Sequence, residues 1–556
     1  MSTNNKLSTK QIYIDEFKSI PPALMMMMAT GFATQLTMGL SFTHNNEKDW
    51  MAASGIFANM ARTFVFMGIG ALFTQVRFVG KHAEEAKKFA DDRQEIQAQH
   101  EYKQVGEYYH SAHPLIAIYS LIVTPILLFG SKEMMLATGQ TEMVANNVQA
   151  FFRTYALGIF AQLELTNMVQ TLFPLGKLKV IMALCFTQLL IEMPLAYALT
   201  YGFAPLSIPA LGLSGYGLAQ TIQPYLCMFG MGYYIQRRHN NDPEFAKYHL
   251  NFTWKKLKTV SKAADLLIIG GWAGLQITAD TVGSVISSII VGWQASKIFA
   301  LNIFSLSILW ATIGVLQFPL ACARTMEKML AQKVGDLAEL LANHADETAI
   351  KEAVQNIRRV VLHCTITFLG FISLPFILMQ LMPKQFLNVF IAHIDPAQLP
   401  TAKLMFQYII SAHVFVDFII FGAAGLRGAF AETWSPVIGC LTGSIGVNFI
   451  ASYFISKSES AANSQALGFS LSATELGNPD SATGVAEGML IGYLVSGTLA
   501  MTRFYWRLYR AKPEDYSKGD EKVGLRTSAF FRRLSNPEPP EIDSDDETEA
   551  LLKQTV

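Results

Sequence analysis

Four carboxylates fall well inside long apolar stretches of this chain: Glu164, Glu192, Asp280 and Asp417. A charge at the centre of a bilayer costs roughly 2.5–3.5 kcal/mol on insertion scales, so a helix keeps one where it faces water, a partner or a ligand. Burial disfavours the ionised form and raises a carboxyl pKa, which lets such a group load and unload a proton near neutral pH. An oxygen cage around the same carboxylate could instead hold a hard cation such as Na+. We therefore read the four as candidate cation-coupling residues. The competing reading is an acid that only hydrogen-bonds a neighbouring helix. Cations at the same depth are few. Arg62 and Arg153 are the nearest, and a Glu164–Arg153 pair is conceivable.

Neutral polar groups accompany these acids. Gln276 precedes Asp280 by one helical turn, so both project from one face. His413 stands one turn before Asp417, placed to relay a proton or to orient the carboxylate. Gln188 lies one turn before Glu192, and Gln35 sits in the first apolar stretch. With Thr34, Gln276 and His413 they form the expected substrate cavity. Pro194 and Pro319 mark helices expected to bend or break, since proline frees a carbonyl one turn earlier. Enzymatic signatures are missing: no Walker loop, no H-E-x-x-H, and no G-x-S-x-G elbow. No catalytic or metal residue is assigned. Cys185, Cys227, Cys322, Cys364 and Cys440 form no C-x-x-C pair and read as small buried hydrophobes.

The elements that must position these residues follow from composition. Of 556 residues, 51% are apolar and only 15% charged, against about 25% charged in an average soluble domain. Mean hydropathy is +0.28. Lys+Arg and Asp+Glu balance at 43 each, so no basic field attracts nucleic acid. A spanning helix needs about 20 mostly apolar residues. Twelve stretches qualify: 20–43, 51–77, 112–130, 145–172, 178–202, 208–236, 263–291, 295–323, 359–382, 403–428, 436–456 and 485–508. The fourth, sixth and eighth are the most polar, as suits helices that line an interior. Lys and Arg collect in the loops after the second, fourth, sixth and eighth spans and near both termini, and the opposite loops hold only scattered single charges. By the positive-inside rule, both termini are cytoplasmic.

Ala53-Ser-Gly-Ile-Phe-Ala58 returns as Ala295-Ser-Lys-Ile-Phe-Ala300, each copy opening the second helix of a half and each helix leading into a long charged loop. The expected fold is thus all-α and polytopic, with two pseudo-symmetric six-helix lobes in parallel repeat. The N-lobe covers 20–236 after a cytoplasmic segment 1–19. A linker 237–262 leads to the C-lobe, 263–510. The tail 511–556 is acidic, proline-rich and expected to be disordered. Its Glu547-Thr-Glu-Ala-Leu551-Leu552 looks like an acidic dileucine sorting signal, and an export signal or a simple solvated tail are the other readings.

Three stretches resemble the multidrug and toxic compound extrusion (MATE) family of cation-coupled antiporters. Gly425-Leu-Arg-Gly428 with Ser435-Pro436 is similar to the family's A-x-G-x-L-R-G-x-G-D-T-x-x-P, with one inserted residue and Glu432 near the acid's place. Pro209-Ala-Leu-Gly-Leu-Ser-Gly-Tyr-Gly-Leu-Ala219 resembles the start of its sixth helix, and Phe299-Ala-Leu-Asn302 the A-x-N of its eighth. The resemblance covers roughly 18–510. It implies twelve helices in two lobes. It also implies a cation site of Asp280 and Asp417, with Asn302 as a nearby amide. The N-lobe departs from the pattern. Where many relatives carry a first-helix Asp, this chain reads Thr34-Gln35, and the fifth-helix Asn-x-x-x-Asp reads Glu192-Met-Pro-Leu-Ala196.

The resulting expectation is a secondary antiporter, not an enzyme. It exports cationic or amphipathic organic compounds in exchange for H+ or Na+, by alternating access of the two lobes. Its partners are the small organic substrate and the lipid bilayer, with no nucleic acid and no cofactor beyond the coupling ion. A monomer in a bacterial inner membrane is expected rather than a eukaryotic membrane protein. One alternative is a lipid or lipid-linked sugar flippase of the same superfamily, against which the scarcity of buried cations counts. The other is a transport-dead membrane protein that works through its acidic tail.

Overall fold

The computed structural model describes residues 12–14, 20–21 and 48–516, apart from 254–255, 257–258, 294–297, 343–344, 391–393, 395, 431 and 463–479. The first expected span from residue 22 on, with Thr34 and Gln35, the residues Ala295–Lys297 of the second repeat copy, and the tail from 517 onward lie outside the described residues.

The other eleven expected spans are all helical. In the first half they are α1 (Lys48–Phe73), leading into α2 (Gln75–Asp91); α3 (Glu95–Ala137); α4 (Glu142–Tyr155) and α5 (Ile159–Leu172); α6 (Leu178–Tyr201); and α7 (Gly212–Asn241). In the second half they are α8 (Ala263–Trp293); α9 (Ile298–Trp310) and α10 (Gln317–Ala342); α11 (Glu347–Leu381); α12 (Leu399–Phe430); α13 (Trp434–Cys440) and α14 (Asn448–Ala462); and α15 (Asp480–Arg510). No strand occurs among the described residues, only a single bridge between Phe203 and Ile208.

Eight of these stretches are long and apolar enough to cross a membrane. Of the expected spans outside that set, α4–α5 and α7 are more polar, whereas α9–α10 opens with an apolar helix too short to count by itself. Lipid forces every backbone polar group to be satisfied within the protein, which is why helices carry the whole architecture. Large apolar side chains cover the outside of the spans, with Leu121 76% and Phe129 72% exposed, as a lipid-facing surface requires.

Local irregularity concentrates in three spans. A 3₁₀ turn, Ala156–Gly158, joins α4 to α5; π-helical turns join α9 to α10 (Ala311–Leu316) and α13 to α14 (Leu441–Val447). The break in the eighth span thus comes just ahead of Pro319. Pro194, expected to bend or break its helix, lies within a continuous α6. The charged segments read as loops are also helical. α3 has 43 residues, a length of about 65 Å, twice the ~30 Å hydrocarbon layer. Its first turns, with Glu95, His100 and Glu101, therefore project beyond the span at the end of the bundle that bears the basic loops, here called the basic end.

The two halves meet mainly where α1 lies along α8. A Cβ placed on Gly70 would fall 1.8 Å from the Cα of Gly274, so only glycine permits this backbone contact. Nearer the opposite end, Thr63 Oγ1 donates to Thr281 Oγ1 at 3.2 Å and Asn59 Nδ2 to Ser288 Oγ at 3.3 Å. At the basic end, Lys88 Nζ contacts Asp336 at 3.0 Å and Glu339 at 2.8 Å, and the Tyr108 hydroxyl donates to Asp265 at 3.0 Å.

Candidate ion and substrate site

Between the halves lies a cavity of about 2120 Å³ of empty space, counted to its open mouth. α1, α4–α7, α8, the π turn with its flanking helices, and α12 all line it. The three most polar spans thus contribute Tyr155 and Gln162, Gln220 and Gln223, and Thr312 and Gln317. The π turn holds part of this wall open, and Gln317 Nε2 donates to the Thr312 carbonyl at 3.0 Å, re-satisfying an acceptor there. All five cysteines are buried, and none of them forms a disulfide.

Of the residues expected to form the site, Glu192, Gln188, Asp280, Gln276 and His413 line the cavity. Glu192 accepts a 2.6 Å hydrogen bond from Gln220 Nε2. His413 Nδ1 is 2.9 Å from the Ile409 carbonyl, one turn back on its own helix. Asp417 is fully buried and stands behind the lining, as does Asn302. Both oxygens of Asp417, Oδ1 of Asp280 and Oδ1 of Asn302 are buried without a hydrogen-bond partner. Asp280 and Asp417 stand close enough to influence one another electrostatically. Tyr493 and Ser284 hold the backbone around Asp280: the Tyr493 hydroxyl donates to the Asp280 carbonyl at 2.8 Å and lies 2.9 Å from Ser284 Oγ. Buried polar atoms are nearly always hydrogen-bonded. The orphaned oxygens of Asp280 and Asp417 make a carboxylate pair whose chemistry suits a proton or a small hard cation.

Glu164 is placed elsewhere. It is buried away from the cavity lining, and its Oε2 lies 2.7 Å from His113 Nδ1. Arg153, conceived as its partner, is instead exposed and reaches Gln149 at 3.5 Å. The pairing fails because the two side chains leave their helices in different directions.

The expected scarcity of buried cations is also corrected. Arg62, Arg324 and Arg427 all line the cavity. Arg324 and Arg427 clasp a buried acid that sequence reasoning missed, Glu327. Arg427 approaches it through Nε (3.0 Å) and Nη2 (3.1 Å), and Arg324 through Nη1 (3.0 Å). Arg427 Nη1 also donates to Gln276 at 3.1 Å, and Arg77 of the first half donates to the Arg427 carbonyl. This network closes the basic end of the cavity. Arg324 and Glu327 stood just past the eighth span and read as loop charges, although their spacing of three is that of a helical pair. Glu432 is likewise neutralised, by Arg503 Nε at 2.9 Å and Arg507 Nε at 3.2 Å.

Solved structures supply the comparison that decides the fold. A eukaryotic MATE transporter, AtDTX14, superposes with a TM-score of 0.63 at 14% identity, covering 92% of this chain and 100% of that one. The MATE transporter VcmN of Vibrio cholerae, in a bent form, gives 0.60 at 15% identity, covering 90% and 98%. The fold is that of the MATE transporters. The two-lobed all-helical architecture expected from the sequence is therefore the one found, with eleven of the twelve expected spans helical among the described residues. Among curated proteins, the probable multidrug resistance protein NorM of Brucella suis is 27% identical over 259 residues, 44% of this chain and 47% of its own length. The chain thus spans about half the length of the curated relatives it matches. No protein-family model matches it. With its apolar spans, the MATE-like fold makes this an integral membrane protein.

Proposed function

We propose that the protein is a secondary antiporter. It exports amphipathic organic compounds in exchange for H+ or Na+ by alternating access of its two lobes, with both termini in the cytoplasm. One observation carries this reading: Asp417 is fully buried and Asp280 partly so beside a cavity between the lobes, and three of their four oxygens are buried without any hydrogen-bond partner. Leaving a buried acceptor unsatisfied costs on the order of 1–3 kcal/mol, more when it is charged. A bound proton or cation removes that cost, and its release restores it. The ion thereby changes which lobe arrangement is stable, which is all that a coupling ion must do. Asn302 contributes a third oxygen ligand. Glu192, on the first-half wall, faces the cargo.

The flippase alternative gains some support from the cavity arginines and loses most of it to Glu327, which holds two of the three. The test is uptake by proteoliposomes of aromatic dyes under an imposed pH gradient, an imposed Na+ gradient, or neither. Uptake driven by one gradient and abolished by the matching ionophore is the expected result. Uptake indifferent to both gradients would remove the antiporter reading.

A further inference from the structure

Among the described residues, the cavity holds one cation, Arg62, that no carboxylate neutralises. Arg62 lies midway along α1, on the face that also carries Ala58, Val65, Phe66 and Ile69 to the cavity wall. Its Nη1 makes a long 3.4 Å hydrogen bond to the Thr312 hydroxyl. No carboxylate among the described residues lies within ion-pairing distance of it. The groups that feel its charge are Tyr155 and His413, both neutral partners or cation-capable, and neither balances it. The other acid on that side, Glu192, already binds Gln220. Arg324 and Arg427 are different, since both are tied to Glu327.

Beside Arg62 runs a wall of stacked rings. Phe57 stacks on Phe151 at 4.2 Å, Phe151 on Tyr155 at 4.8 Å, and Tyr216 closes the group at 5.8 Å from Phe151. Such a wall offers a flat apolar body a place to lie, and the guanidinium offers a planar oxyanion a two-pronged donor. A helix keeps an uncompensated guanidinium at this depth where a ligand or water meets it.

The geometry points to Arg62 as the residue that receives the negative group of the cargo, so that the transported compounds are flat organic oxyanions or zwitterions carrying a carboxylate, sulfonate or phosphate. This deepens the antiporter reading and rests on it. An anionic lipid headgroup presents the same oxyanion chemistry, and the experiment separates that source from a free solute.

The full-length chain, with Arg62→Gln and Arg62→Lys variants, is reconstituted into liposomes under the driving gradient. Three probes are followed: carboxyfluorescein, ethidium, and a fluorescently tailed phosphatidylglycerol read by dithionite quenching. We expect wild-type protein to move carboxyfluorescein. Losing a charge-assisted bond in Arg62→Gln should raise its KM about tenfold or more. Arg62→Lys, which keeps the charge but not the fork, should recover part of the loss. Ethidium carries no oxyanion and should move less than carboxyfluorescein in wild type, and Arg62→Gln should shift the ratio of the two toward ethidium. Arg62-dependent lipid movement without carboxyfluorescein movement would keep the oxyanion site but assign it to a headgroup, overturning a soluble cargo. Ethidium movement without carboxyfluorescein movement in wild type overturns the proposal and leaves the antiporter standing. Equal loss of both dyes in Arg62→Gln overturns it too, by making Arg62 structural. If no probe moves under any gradient, the antiporter reading falls and this proposal with it.

Discussion

Two buried clusters in the second half of the molecule handle negative charge in opposite ways. At the basic end, Glu327 is clasped by Arg324 and by both prongs of Arg427. Deeper in the bundle, Asp280 and Asp417 have no cation and leave three oxygens without a partner. Glu327 and Asp417 are both buried, and Asp280 is only partly exposed at the cavity wall, so burial alone does not separate structure from function. Compensation does. An acid with two guanidinium partners is fixed, because removing its charge strands theirs. An acid with none can exchange what neutralises it. The first cluster reads as a latch between elements, and the second as a place where an ion comes and goes.

The sharpest way to break this contrast is to treat the two clusters alike. Glu327→Gln leaves two buried arginines short of their partner and should destabilise the protein by about 3–5 kcal/mol. Detergent-solubilised thermal unfolding reads this as a clear drop in Tm. An unchanged Tm would erase the distinction. Next comes the seam that carries both clusters. Gly70→Val drives a branched side chain into the Gly274 backbone, and overpacking of this kind costs roughly 1–3 kcal/mol. The same substitution at Gly271, where a Cβ meets nothing within 4 Å, is the matched control and should be near neutral.

A smaller effect should follow from acid. Burial works to raise the Glu101 carboxyl, but the hydrogen bond and charge of His82, 2.5 Å away, outweigh it and hold the group below its usual range. A carboxyl whose folded pKa is depressed adds stability that is fully present above its unfolded pKa, near 4.3, and is lost as pH falls through the folded value. Thermal scans below about pH 4.3 should therefore show wild type losing stability that Glu101→Gln does not lose. Parallel curves would show that the pair contributes nothing. The smallest effect belongs to Lys88→Ala. Its ion pairs with Asp336 and Glu339 are substantially exposed, so the change should stay within about 1 kcal/mol.

Much of the fold was legible because a bilayer imposes so few solutions. Apolar length, charge alternation between loops and the greater polarity of the fourth, sixth and eighth spans read directly onto helices. Those three polar spans do supply cavity walls. Asp280, Glu192, Gln276, Gln188 and His413 were legible for the same reason, since polar atoms at that depth need a purpose. Three features were not. The Glu327 cluster sits where helices leave the membrane, and there a basic residue inside the protein and one in a cytoplasmic loop look identical in sequence. The π turns carry no compositional mark, because packing between helices rather than local sequence sets them. The Glu164–His113 contact joins α3 to α5 across 51 positions, a pairing that spacing within one helix does not encode. Arg62 was visible from the start, but its lack of a carboxylate partner emerges only once every neighbour is in place.

The central claim is that Asp280 and Asp417 carry the coupling ion. The most direct measurement is gradient-driven transport by Asp280→Asn and Asp417→Asn in proteoliposomes, normalised to folded protein and set beside their thermal stability. We predict that each variant keeps or slightly raises its Tm, since an uncompensated buried acid is replaced by a neutral amide. Each should also lose its response to the ion gradient. Wild-type coupling in both variants, or loss of transport that merely tracks unfolding, would contradict the account.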